Sequence, residues 1–510
     1  MLEGRTLWEL VEKRAEETRD ALLAVDERGE SLTYGGLKDR AERTAAGFVA
    51  QGVAEGSVVS WQLPSWLESI VLVAALSRIG AVQNPILPIY REREVGFIAR
   101  QAKSKILLVP SNFRGFDFEA MARGIAEGVK GLQVEICDRN LPEGDPATLG
   151  PAPDPAAELL VRWLFYTSGT TADPKGAQHT DATIAAAARG MAQRLGLTAN
   201  DKHSLVFPFT HIGGVIWLFS ALMSGTTQIV DEAFNPETTI PLLQKEGVTL
   251  AGSGTYFHLA YLQAQRANAG TPLFPNVRCC PGGGAPKPPQ LHFDIKNELG
   301  GVGIVSGYGL TESPILCMAS LDDPDEALAN TEGSALPGVE LRVVTLEGKV
   351  GGIDEEGEIR AKAPQMMKGY LDASLDADAF DDEGWFRTGD LGRIDAEGNV
   401  TITGRLKDII IRKGENISAK EVEDLLFTHP KVADAAVIGV PDPSSGERAV
   451  AVVALKDAGD PLGFEEMGAF LREKGLRAQA IPEQLETVDA LPRNPSGKVL
   501  KQDLRKQYGS

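Results

Sequence analysis

Short β-type runs alternate with helical stretches through most of this chain, and that alternation constrains the fold more than any single motif. The runs are Val58–Trp61, Ile106–Val109, Leu132–Ile136, Val161–Phe165, Leu205–Phe207, Gln228–Val230, Val277–Cys280 and Gly303–Ser306. Amphipathic helices are expected over 6–20 and 35–52; in the first, Leu7, Leu10, Val11 and Arg14 recur at helical spacing. Strands interleaved with helices predict α/β layers with largely parallel sheets. From about residue 331 the texture changes. Val339–Val344, Gly357–Ala361 and Asn399–Thr403 are separated by Gly- and Asp-rich turns and predict a β-rich subdomain. A boundary is expected at Gly404-Arg405-Leu406-Lys407-Asp408, and the 510 residues are too many for one core. The predicted fold is therefore α/β: a large N-terminal body over 1–404, a short charged hinge over 405–408 and a small mobile α+β lid over 409–510. In the lid, helices are expected at Ala419–Phe427 and Phe464–Lys474, with strands at Ala435–Val440 and Ala449–Leu455.

Composition narrows the function. The formal net charge of −20 argues against nucleic acid or an anionic membrane as the main partner, while leaving room for nucleotides held by local loops. Cys137, Cys279, Cys280 and Cys317 show no paired metal-ligand spacing and no disulfide framework, which suits a reducing compartment. The apolar runs Ile70–Leu76 and Val215–Met223 are too short to span a bilayer, and no signal core opens the chain. A soluble, cytoplasmic protein without stable membrane insertion is expected.

Residues 166–176 read Tyr-Thr-Ser-Gly-Thr-Thr-Ala-Asp-Pro-Lys-Gly and follow the apolar run ending at Phe165. A strand thus enters a turn carrying the hydroxyls of Thr167, Ser168, Thr170 and Thr171, with Gly169 and Lys175. Backbone N–H groups, hydroxyls and an ammonium together can surround phosphate oxygens. The order is not that of a P-loop, since Lys175 is followed by Gly176. A polar surface turn would explain the same residues.

Further clusters follow. Gly282-Gly283-Gly284-Ala285-Pro286 lets a backbone approach a flat ligand, or is a plain turn. Gly307-Tyr308-Gly309-Leu310-Thr311-Glu312 exposes an aromatic face for a purine, and Thr311 and Glu312 offer oxygens suited to Mg²⁺; a capped helix start accounts for the last two equally. In Trp385-Phe386-Arg387-Thr388-Gly389-Asp390 the carboxylate can accept from ribose hydroxyls or cap its own turn. Phe209-Thr210-His211-Ile212-Gly213-Gly214 puts a histidine in an apolar setting, where a satisfied core residue is the commoner outcome. Near the end, Pro492-Arg493-Asn494-Pro495-Ser496-Gly497-Lys498 presents a lysine on a Pro- and Gly-bounded turn.

Taken in order, these clusters resemble the motifs of the adenylate-forming superfamily: acyl-CoA synthetases, luciferases and peptide-synthetase adenylation domains. One residue departs, Ala172, where that pattern usually has glycine. The resemblance implies an N-terminal AMP-binding domain and an AMP-forming acid–thiol ligase using ATP, Mg²⁺ and coenzyme A on a small carboxylic acid. It implies ATP contacts from Thr167, Ser168, Gly169, Thr170, Thr171, Lys175, Gly283, Gly284, Ala285, Pro286, Gly307, Tyr308, Gly309, Thr311, Asp390, Arg405 and Lys498. Asp390 and Arg405 would take the ribose, Glu312 the metal, and Lys498 the acyl carboxylate and α-phosphate. Thr167, His211 and Lys498 would be catalytic, with His211, Gly284 and Gly309 lining the acyl pocket. Lys407 would be the hinge and Gly414 the wall of the pantetheine tunnel. Trp217, Phe219 and Tyr256 are expected to bound a ring in the acyl group, which would be alicyclic, aromatic or medium-chain. The catalytic lysine's setting also resembles that in which bacterial synthetases are acetylated, which admits a protein lysine acetyltransferase as a partner. Loading of a carrier-protein thiol is less expected, since no carrier domain follows Ser510. A non-catalytic acyl- or nucleotide-binding regulator on the same fold is the rival from another class.

Overall fold

In the computed structural model, all residues are described except 168–172, 269, 286, 413–414, 444 and 510, with Glu415 described for its backbone alone. The first helices form where the periodicity places them, over Leu7–Glu17 and Tyr34–Ala50. Each is started by a threonine: the side chains of Thr6 and Thr33 accept from the N–H groups of Glu9 and Gly36.

A six-stranded sheet runs in the order Lys175–Thr180, Val161–Thr167, Val82–Pro85, Val58–Trp61, Ile106–Val109, Gln133–Ile136. All its pairings are parallel except the edge hairpin between Val161–Thr167 and Lys175–Thr180. Its neighbour comprises Lys202–Leu205, Thr227–Val230, Leu22–Asp26 and Ser31–Thr33. Single bridges from His203 to Leu250 and from Leu250 to Cys279 carry this sheet toward a third, made of Cys280–Gly283, Ile304–Tyr308, Cys317–Met318 and Ser334–Ala335.

The apolar runs too short for a membrane are core helices. Leu67–Ile79 and Ile212–Ser224 are buried along nearly their whole length, and each stops at a glycine in the left-handed region, Gly80 and Gly225. They pack with Trp61, Trp163 and Phe165 in the main core. No helix among the described residues is long and apolar enough to cross a membrane.

The β-rich segment forms an antiparallel sheet of Glu340–Val344, Gly357–Lys362, Phe386–Ile394 and Val400–Arg405. Beyond it, Ile409–Arg412, Glu415–Ser418, Val432–Asp442, Gly446–Leu455 and Gln484–Val488 build a five-stranded sheet with its own core around Val437, Ala451, Met467 and Leu471. Its helix Ala419–Phe427 is capped by Ser418, and Phe427 packs against the main core of the large domain.

Three readings shift. The strand expected at Leu205–Phe207 lies at Lys202–Leu205, because Ser65 takes both Phe207 O and Phe209 N–H and pulls that segment out of the ladder. The strand expected to end at Cys280 begins there and runs into the glycines, since Gly282 and Gly283 pair with Ser306 and Gly307. The last strand of the β-rich sheet continues through Arg405, so Arg405 belongs to a strand and only Leu406–Asp408 form the short 3-10 turn after it.

Candidate active site

Thr167 and Lys175 face each other across the last pair of the antiparallel ladder, so the chain enters and leaves the first cluster at two aligned strand ends. Ser168, Gly169, Thr170, Thr171 and Ala172 lie outside the described residues. Lys175 Nζ stands 5.5 Å from the centre of the Tyr370 ring, and Tyr370 Oη donates to Glu312 Oε1 at 2.8 Å. Glu312 is thereby brought to these strand ends from a point far along the sequence. His179, four residues beyond Lys175, takes part as well: its Nε2 pairs with Thr311 O at 2.8 Å and its Nδ1 with Thr183 Oγ1 at 3.0 Å. Burial pulls the His179 pKa down to about 4, so it is a neutral strut. The motif holding Thr311 and Glu312 is thus bolted to the hairpin rather than starting a helix.

The glycine strand Cys280–Gly283 lies parallel to Ile304–Tyr308, with Gly283 opposite Gly307. Gly284 is exposed at φ +72°, Ala285 is half-buried, and Pro286 lies outside the described residues. Nothing lies within 4 Å of where a Gly284 side chain would start, which leaves room for a ligand. Gly309 shows the opposite constraint. A Cβ there would sit 2.2 Å from the Ile315 nitrogen, so only glycine permits the turn that returns the chain under Tyr308.

Tyr308, Asp390 and Arg405 come together from three strands. Asp390 Oδ2 accepts from Tyr308 Oη at 2.8 Å, and Asp390 Oδ1 lies 2.6 Å from Arg405 Nε, its register partner across the sheet. Thr388 and Glu358 shape the preceding turn: Thr388 Oγ1 accepts from Asp390 N–H, and Glu358 Oε1 accepts from Gly389 N–H at 3.2 Å. Burial works against the Arg405 charge, but the Asp390 carboxylate outweighs it and raises the pKa. Burial and that same carboxylate hold the Tyr308 phenol well above its usual range, as a neutral donor.

His211 caps the helix Ile212–Ser224. Its Nδ1 accepts from Gly213 N–H at 3.1 Å, so the neutral ring carries its proton on Nε2. Desolvation and then the Lys498 charge push its pKa down to about 4. The Lys498 charge, carried by the small domain, is therefore felt at His211 of the large one. Lys498 keeps an exposed surface. Its surroundings nonetheless desolvate the ammonium, Arg405 and Lys407 repel it, Asp390 and Asp408 attract it, and its pKa falls to about 8. Lys407 is exposed in the 3-10 turn Leu406–Asp408. Gly414 lies outside the described residues.

The expected ring-bounding trio is not one wall. Phe219 is fully buried in the core, its ring 6.5 Å from that of Trp163. Trp217 is stacked on His203 at 3.4 Å. Tyr256 is 38% exposed and faces the Lys498 turn instead. Residue type suggested all three, but helix phase sends Phe219 inward and a tertiary contact claims Tyr256. His179, Tyr370 and Glu358 were missed. The alternation of the Lys175–Thr180 strand puts His179 on the same face as Lys175; nothing local marks the other two. Among the described residues no group of three or more His, Cys, Asp or Glu side chains could enclose a metal ion. Glu312 offers one carboxylate, which fits Mg²⁺ carried mainly by substrate phosphates.

The profile of the AMP-binding enzymes matches residues 11–371, and that of the AMP-binding enzyme C-terminal domain matches 421–498. The medium-chain fatty-acid–CoA ligase of Escherichia coli K12 is 34% identical over 96% of this chain and 88% of that protein. The salicyl-AMP ligase/salicyl-S-ArCP synthetase of Mycobacterium tuberculosis is 32% identical over 99% and 91%. ATP-bound MatB from Rhodopseudomonas palustris superposes with a TM-score of 0.88 at 28% identity over 100% of this chain and 99% of that one; its apo form gives 0.77 over 99% of both chains.

Proposed function

The chain belongs to the AMP-binding enzymes of the adenylate-forming superfamily and is an acid–thiol ligase, and from that premise we propose an ATP-dependent acyl-CoA ligase acting on a medium-chain, alicyclic or aromatic acid. The observation that carries this reading is the seating of the Lys498 turn on the large domain, with Gly497 against Tyr256 and Arg493 over its ring, within electrostatic range of His211 and of the Asp390–Arg405 pair. A carboxylate oxygen attacks the α-phosphorus, the bond to the β-phosphate oxygen breaks, and pyrophosphate leaves. Lys498 offsets the charge gathering on the α-phosphate and the attacking carboxylate. Thr167, Lys175 and the segment 168–172 hold the outer phosphates; Glu312 would help hold a Mg²⁺ ion, which would offset phosphate charge when bound. Gly283, Gly284, Ala285 and Pro286 flank the adenine and Tyr308 stacks on it, its ring fixed by the bond to Asp390. Gly307, Gly309 and Thr311 complete the nucleotide wall; Asp390 and Arg405 take the ribose. His211, Gly284 and Gly309 border the acyl pocket.

In the second step the thiol sulfur attacks the acyl carbon and AMP leaves. That step needs Lys498 withdrawn and the 413–414 segment brought in, so the small domain turns about Lys407, with 1–404 and 409–510 as the moving bodies. Gly414 then leaves room for the pantetheine arm. The higher TM-score to the ATP-bound neighbour supports assigning the present arrangement to the adenylating step. All four cysteines are free and buried, in keeping with a cytoplasmic enzyme. The carrier-loading relative makes one alternative concrete: the acyl acceptor is a protein-bound thiol. Octanoate, cyclohexanecarboxylate, benzoate and salicylate, each with ATP, Mg²⁺ and with or without free CoA, separate the readings. AMP formation that requires CoA supports the ligase. Pyrophosphate release without CoA-dependent turnover for every acid adenylated would favour a carrier loader.

A further inference from the structure

The lysine turn is a rigid unit. Asn494 Oδ1 accepts from Ser496 N–H, Ser496 Oγ and Lys498 N–H at 3.1, 2.7 and 2.9 Å, and Asn494 N–H donates to Lys498 O at 2.9 Å. Arg493 braces it, donating to Gly497 O and to Asp434 Oδ2, the latter at 2.6 Å. A unit so tied moves as one body, and whatever it rests on sets the position of the neighbouring Lys498.

It rests on Tyr256. Gly497 is buried with φ +82°, and a Cβ built on it would lie 2.8 Å from Tyr256 Cβ. The Arg493 guanidinium sits 5.8 Å from the centre of the same ring, within cation–π range. Tyr256 is the second residue of the large-domain helix Thr255–Ala267, and its ring is buttressed edge-on by Phe234 and Phe257 at 5.7 and 5.4 Å. The helix follows Gly254, which lies against Gly283 O. The pad under the lysine turn is therefore joined to the glycine wall of the cleft through two residues of backbone.

We propose that Tyr256 is a positioning residue for the adenylating step: its ring and Cβ are the seat on which the Gly497 turn closes, and that seat fixes where the Lys498 ammonium stops. The inference rests on the reading of Lys498 as the adenylating lysine. Tyr256 touches no reacting atom in this scheme. Its effect runs through geometry, and a misplacement of about 1 Å costs on the order of 10²-fold in rate. The seat is used in one domain arrangement only, so the thiol step should not need it.

The test compares Tyr256→Ala, Tyr256→Phe and Lys498→Ala in both half-reactions, with the best acid of the panel above and its pre-made acyl-adenylate. Tyr256→Ala should lower the adenylation kcat about 10- to 100-fold, with ATP KM and thioester formation from the acyl-adenylate within about twofold of wild type. Tyr256→Phe keeps the ring and should restore adenylation. Hydrogen exchange gives a readout that needs no acid: amides of 493–498 should exchange faster in Tyr256→Ala, with Val432–Asp442 unchanged. Equal losses in both half-reactions, or unchanged exchange at 493–498, would overturn the seat. So would full adenylation by Tyr256→Ala while Lys498→Ala is dead. If Lys498→Ala itself adenylates normally, the reading of the cleft fails first and the seat with it.

Discussion

Asp390 and Arg405 are register partners on adjacent antiparallel strands, and their side chains meet at 2.6 Å with the carboxylate almost wholly buried. The remaining Asp390 oxygen is held by Tyr308. One carboxylate therefore orients both the Tyr308 ring and the Arg405 guanidinium.

Asp390→Asn should weaken ATP binding more than it slows chemistry. Hydrogen bonds to a charged group contribute about 1.5–3 kcal/mol, so the ATP KM should rise roughly 10- to 100-fold with a smaller change in kcat. Initial rates over an ATP series check this; an unchanged KM would remove Asp390 from the ribose site.

Lys498→Ala should lose about 10²–10³ in adenylation, as when a single transition-state donor is removed. Thioester formation from added acyl-adenylate should persist. Rapid-quench assays of the two half-reactions decide, and parallel losses would contradict the assignment.

The pH profile follows from the same lysine. Its pKa is lowered to about 8, so the ammonium is complete below that pH and disappears as pH rises through it. Adenylation should fall on the alkaline side with an apparent pKa near 8, and thioester formation from acyl-adenylate should lack that limb. His211, held neutral down to about 4, should contribute no limb between pH 5 and 9. In Lys498→Arg the alkaline limb should vanish from whatever activity remains.

Lys407→Pro should separate the steps in the other direction. Proline fixes φ at the turn Leu406–Asp408. Acyl-adenylate should still form and accumulate, while transfer to CoA stops. Normal CoA-dependent turnover would show that the rotation does not pass through Lys407.

Glu312→Gln should raise the Mg²⁺ concentration needed for half-maximal pyrophosphate release by about tenfold, since one anionic oxygen is lost from a site otherwise built on phosphates. The bond from Tyr370 Oη to this side chain can survive the change, so the fold should melt at the same temperature. An unaltered Mg²⁺ requirement would place the metal elsewhere.

The sequence by itself determined the alternation of strands and helices, the change to a β-rich texture, the helix Ala419–Phe427 and the order of the motifs. Those are local matters: side-chain periodicity, Thr and Ser caps and glycine stops act within a few residues of themselves. Local chemistry could not say that Thr167 and Lys175 would face each other, because that depends on ladder register. Nor could it say that Glu312 would be held by Tyr370, or that Tyr256 would lie beneath Gly497 rather than in a pocket wall. Such contacts join residues far apart in the chain, and their partners are selected by how whole sheets and domains pack. Residue type told which side chains carry the chemistry; only the tertiary structure decided which of them meet.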